Sequence, residues 1–130
     1  MTKKRTSTVG PECCPPKPVL RERPLVSAGQ AADLARLFEV FSSDTRLRLL
    51  HALVRSGELR VTDLAWAVGM KPQAISNQLR RLAAWRILDH RREGNNILYR
   101  IADPCIPALL DKGLCLLEDS EAQLSAKKKV

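Results

Sequence analysis

Four thiols and one polar helical stripe hold most of the reactive side chains in this chain. Cys13 and Cys14 are adjacent, preceded by Glu12 and followed by Pro15 and Pro16. So much proline excludes helix and central strand, so two thiols here have no core to fill. The pair points to ligation of a soft ion or, as the alternative, to a redox switch. Cys105 and Cys115 lie near the other end, and each also has a packing reading. Cys115 stands among Leu114, Leu116 and Leu117, and Cys105 stands at a helix start. Thiolates suit thiophilic ions: three for pyramidal As(III), two or three for Hg(II), three or four for Cd(II) or Pb(II). Lys17, Arg21 and Arg23 favour the thiolate form. The only histidines, His51 and His90, are far apart in sequence and give imidazole ligation little support.

The polar stripe lies within residues 61–82, VTDLAWAVGMKPQAISNQLRRL, which read as a helix-turn-helix. Ala65 permits a close helix crossing, Gly69 makes the tight turn, and Ile75 packs back on the first helix. At about 100° per residue, Ile75, Leu79 and Leu82 form an inner stripe. Gln73, Asn77 and Arg80 then fall on the opposite face, with Ser76 beside them. Amides pair with adenine and guanidinium with guanine in the major groove, by two hydrogen bonds each. Lys71 and Arg81 suit phosphates, which fix register without reading sequence. A basic hairpin follows, with Arg91, Arg92 and Arg100 on its strands and Asn95 and Asn96 at its turn. It adds contacts to the backbone or minor groove. Trp66 and Trp85 read as core or interface aromatics.

The elements that position these groups are mostly helical. Residues 1–26 form an extended, proline-rich basic arm, residues 27–119 a winged helix-turn-helix domain, and residues 120–130 a flexible basic tail. Ser27 caps the first helix, whose apolar positions run from Ala31 to Phe41. Ser43 or Asp44 caps the second, which Gly57 ends. A short extended piece, residues 59–61, precedes a helix capped by Thr62, and Pro72 opens the next, which runs to about Trp85. Residues 87–92 and 97–101 form a hairpin around Glu93, Gly94, Asn95 and Asn96. A last helix, from Pro104 or Pro107, ends at Asp119. The fold expected is mainly α with a small β-hairpin, in the order α-α-α-α-β-β-α.

With 130 residues the chain makes one domain with tails. A net charge of +8 favours a polyanionic partner, with DNA ahead of an anionic membrane. No apolar run reaches the roughly 20 residues of a membrane span, and residues 1–10 lack the apolar stretch of a secretory signal. We therefore expect a cytoplasmic protein with reduced thiols and no membrane partner. No phosphate-binding glycine loop and no Ser/His/Asp order is present, so no enzyme and no organic cofactor is expected.

Phe41-Ser-Ser-Asp-Thr-Arg-Leu-Arg-Leu-Leu50, Glu58-Leu-Arg-Val-Thr-Asp-Leu64, Ile75-Ser-Asn-Gln-Leu79 and Gly94-Asn-Asn-Ile-Leu-Tyr99 together resemble the ArsR/SmtB repressors. The resemblance implies a homodimer, built through its terminal helices, that binds a DNA operator of dyad symmetry and leaves it when a metal or metalloid binds. One family site places two cysteines where this chain has Arg60 and Thr62, so that site is absent. A second uses the last helix, where Asp103, Cys105, Cys115 and Glu118 keep the outline with thiols replacing imidazoles. A third resembles the arm: Cys13 and Cys14 of one chain, completed by Cys105 or Cys115 of the other.

Overall fold

A computed structural model describes residues 16–129 and the side chains of residues 16–121; Cys13 and Cys14 lie outside them. The described part of the arm is extended apart from one 3-10 turn, Leu20–Glu22. Helix α1, Ala28–Phe41, starts with a reciprocal cap: Ser27 Oγ accepts from Gln30 N–H at 3.1 Å, and Gln30 Oε1 accepts from Ser27 N–H at 3.0 Å. Helix α2, Asp44–Ser56, is capped by Ser43, whose hydroxyl accepts from Arg46 N–H. It ends at Gly57, where a φ of 89° suits glycine alone.

Strand β1, Glu58–Arg60, leads into α3, Val61–Val68, and Gly69 turns the chain in the left-handed region before α4, Pro72–Ala84. Strands β2, Leu88–Glu93, and β3, Asn96–Ile101, form the wing, and α5, Cys105–Lys129, closes the fold. Gly94, at φ 65°, takes the first central position of the two-residue turn between Glu93 and Asn96. Only that central residue has positive φ, the pattern of a type II′ hairpin.

The core joins α2, α3, α4 and the root of the wing. Leu49, Leu50, Leu53, Leu64, Ile75, Leu79 and Leu82 are fully buried, and Val40, Tyr99 and Ile106 close its edges. Three local expectations change. The extended piece becomes a third strand: β1 pairs antiparallel with β3, Glu58 opposite Arg100 and Arg60 opposite Leu98, giving the order β1-β3-β2. Pairing across some forty residues leaves no local signal. Next, α3 begins at Val61 after Arg60, not after Thr62, and Arg60 grips Asp63 in the first turn at 2.9 Å. Finally, α5 passes Asp119 and runs to Lys129, because residues 114–129 include neither proline nor glycine and are mostly good helix formers.

Candidate nucleic-acid interface and thiol sites

Amphipathic α4 is held by its buried stripe, which leaves one face to solvent. Gln73, Asn77, Arg80 and Arg81 are exposed there, and Ser76 is half-buried with its hydroxyl accepting from Arg80 Nη2 at 3.3 Å. Lys71, also exposed, sits at the N-cap with extended backbone. The expected reading face is thus assembled by one helix and its cap. Its amides, hydroxyl and guanidinium groups match the donor and acceptor patterns of base edges, and its lysine matches phosphate.

Two arginines of α2 tie this helix pair to the rest of the fold, and neither was singled out from the sequence. Arg46 Nε donates to the Val40 carbonyl at 2.6 Å and its Nη1 to Gln78 Oε1 at 2.9 Å. Arg48 Nη1 donates to the Val68 carbonyl at 3.2 Å, where a cation suits the C-terminal end of α3. The 32-residue separation of Arg46 and Gln78 is why spacing alone could not find the pair.

The wing divides its basic residues between two faces. Along β2 the side chains alternate, so Asp89, Arg91 and Glu93 share one face, and Leu88, His90 and Arg92 share the other with the buried Tyr99. On the outer face Arg91 binds Glu58 with both ends of its fork, at 2.9 Å each, and reaches Glu93 at 3.7 Å. Arg100 lies 3.4 Å from Asp89 and 3.9 Å from Glu58. The bond from Arg91 holds the Glu58 carboxyl below its ordinary value, with Arg100 adding attraction. Arg91 is held more firmly charged by the same pair. Arg92, on the core-side face, makes no ion pair among the described residues, and Asn95 is exposed at the tip.

The two thiols among the described residues are not brought together. Cys105 is the first residue of α5, half-buried, with its N–H donating to Asp103 Oδ1 at 2.9 Å. It lines a cleft of about 450 Å³ with Phe38, Phe41, Trp85 and Arg86. Cys115 is exposed rather than core, 4.0 Å from Asp119 Oδ2. Ten residues of helix separate the two sulfurs by about 15 Å of rise and roughly 80° of rotation. One protomer cannot place both on one ion, and its described residues contain no group of three His, Cys, Asp or Glu side chains suited to a metal. The four-residue outline Asp103, Cys105, Cys115 and Glu118 is therefore not a site within a single chain. Arg60 and Thr62 occupy the start of α3. Neither tryptophan is core: Trp66 is 87% exposed and Trp85 41%. No helix among the described residues is long and apolar enough to cross a membrane.

A family model described as the MarR family matches residues 43–96, from the cap of α2 to the start of β3. The chain is 42% identical over 79 residues to the transcriptional repressor SmtB homolog of Synechocystis, covering 61% of this chain and 59% of that protein. The crystal structure of the AntR antimony-specific transcriptional repressor is 60% identical, with a TM-score of 0.72, covering 84% of this chain and 98% of that one. The homodimeric winged helix-turn-helix DNA-binding domain Mb0332 of Mycobacterium bovis, solved in solution, is 29% identical with a TM-score of 0.62, covering 75% and 92%. These matches and the arrangement of α2–α4 and the wing agree: the chain belongs to the ArsR/SmtB family of winged helix-turn-helix repressors.

Proposed function

We propose that this protein is a homodimeric, DNA-binding transcriptional repressor released from a dyad operator by a thiophilic metal or metalloid, with trivalent antimony and arsenic ahead of Hg(II), Cd(II) and Pb(II). The 60% identity to an antimony-specific repressor, along nearly that whole chain, carries the reading. A trivalent pnictogen takes three thiolates in a pyramid, and this chain has four cysteines with which to supply them. Cys13 and Cys14 of one chain supply two, and Cys105 or Cys115 of the other supplies the third. The 15 Å rise between the latter two makes them alternatives within one site.

The dimer follows from apolar surface left without a partner. Phe38 on α1 and Leu109, Leu114, Leu116 and Leu117 on α5 are exposed, several around an apolar groove of about 570 Å³. A second copy covers them by two-fold pairing of the terminal helices, which places two α4 helices to read two half-sites. Lys71, Gln73, Ser76, Asn77, Arg80 and Arg81 of each meet DNA, with Arg92 and Asn95 from the wing.

The test is fluorescence anisotropy of the reduced protein on DNA from its own upstream region, titrated with Sb(III), As(III), Hg(II), Cd(II), Pb(II) and Zn(II). Near-stoichiometric release by a thiophilic ion but not by Zn(II) is expected, and replacing Cys13 and Cys14 by Ser should abolish release while leaving DNA affinity intact. Binding indifferent to every ion would overturn metalloid sensing, and release by peroxide instead would make the thiols a redox switch. Normal release from the double variant would remove the arm from the site.

A further inference from the structure

We propose that Arg46 and Gln78 form a positioning pair that sets the angle and register of the reading helix against the end of α1, and that Gln78 does not read bases. Gln78 sits between Asn77 and Leu79, so by sequence it belongs among the polar residues offered to DNA. Its side chain instead turns inward. It is half-buried, and its carbonyl oxygen accepts from Arg46 Nη1 at 2.9 Å.

The same guanidinium donates through Nε to the Val40 carbonyl at 2.6 Å. Val40 is 2% exposed in the last turn of α1, where carbonyls have no helical partner, so the cation satisfies an otherwise orphaned acceptor. Arg46 thus has one donor on α1 and another on α4, while its own backbone belongs to the first turn of α2. The planar fork fixes both directions at once, as a flexible ammonium would not. A rotation of α4 about its axis would break the Gln78 bond before it disturbed Leu79. The bond therefore resists the motion that would misalign Asn77 and Arg80. Because α1 carries exposed Phe38, a shift of α1 within a dimer reaches α4 through this side chain as well as through the shared core.

This inference rests on DNA binding and not on effector response, so loss of the latter leaves it standing. Wild-type protein that failed to bind its upstream DNA would instead break the proposed function. The experiment compares Gln78→Ala, Arg46→Met and their combination on the operator, on a panel of operators altered at single base pairs, and across a salt series. Gln78→Ala removes the bond without opening the core, so it remains informative if Arg46→Met melts early.

Each single variant should weaken every operator of the panel by a common factor of about 10–150, the worth of one hydrogen bond to a charged group. The double variant should be no weaker than the worse single, and the salt slope should match wild type. A changed preference at one base pair in Gln78→Ala would make Gln78 a base reader and overturn the pair. So would a salt slope shallower by about 0.9 in Arg46→Met, the mark of a lost phosphate contact, or fully additive losses.

Discussion

Helix α4 and the thiols of α5 stand at opposite ends of a scale of completeness. Around α4, one protomer supplies everything: three fully buried aliphatics anchor the helix, Arg46 braces it through Gln78, and Gln73, Asn77 and Arg80 share its free face. Along α5, Cys105 and Cys115 are parted by nearly three turns. The leucines beside Cys115 are exposed, and the neighbouring groove is open. A site whose groups share a helix can be completed by local folding, whereas one whose groups lie far apart on a rod needs a second chain. Under the proposed function, the difference matches what a ligand-released repressor requires. The reader must be rigid, and the sensor must respond to the relation between subunits.

The sharpest way to break the contrast is to remove its anchor. Leu79→Ala opens a cavity at a fully buried position and should lower stability by about 2–5 kcal/mol in urea or thermal unfolding. Cys115→Ala, on an exposed face, should change it by less than about 0.5 kcal/mol in the protomer. Equal losses would mean that Cys115 is packed in the assembled dimer, and the contrast would then belong to the monomer only.

A second pair separates sensing from reading. Of Cys105→Ser and Cys115→Ser, one should abolish ion-induced release and the other leave it, with neither altering effector-free DNA affinity. The lost coupling is about 1–3 kcal/mol, read as the ratio of DNA affinities with and without Sb(III). Asn77→Ala or Arg80→Ala should do the reverse, costing about 1–3 kcal/mol of operator affinity with the ion response intact. A thiol variant that weakened DNA binding alone would merge the two regions into one.

What could be read in the sequence follows the same division. Ser27, Ser43, Gly57, Gly69 and Pro72 state their roles through local chemistry, because caps and left-handed turns need particular residues at particular places. The inner stripe of α4 declares itself by period. The union of β1 with β3, the grip of Arg46 on Gln78 and the fork between Arg91 and Glu58 join residues some thirty to forty positions apart. No periodicity reports such meetings. Arg91 illustrates the cost: spacing marks it as one more wing cation, and only the fold shows its fork closed on Glu58 on the outer face, while its neighbour Arg92 occupies the face shared with the core. The ending of α5 was missed for another reason. A run of lysines reads as a tail, yet it contains no helix breaker, and charge alone does not end a helix.

The smallest expected effect concerns that strut. Glu58 is held below its ordinary value of 4.5, first by the hydrogen bond from Arg91 and then by attraction to Arg91 and Arg100. A carboxyl whose folded value lies below its unfolded one stabilises the fold above the unfolded value, and that share is lost as pH falls through the folded one. The window therefore opens near pH 4.5 and extends below it. Wild type should lose stability across this range faster than Glu58→Gln, which cannot titrate, while Asp63, lowered by Arg60, contributes the same background to both. Denaturation midpoints measured at pH 6, 4.5 and 3.5 would show the two curves converging on acidification. Parallel curves would mean that the Arg91 fork contributes no net stability, as many exposed ion pairs do not. Arg91 would then be released to meet DNA, and the wing, unlike α4, would be a reader positioned only on contact.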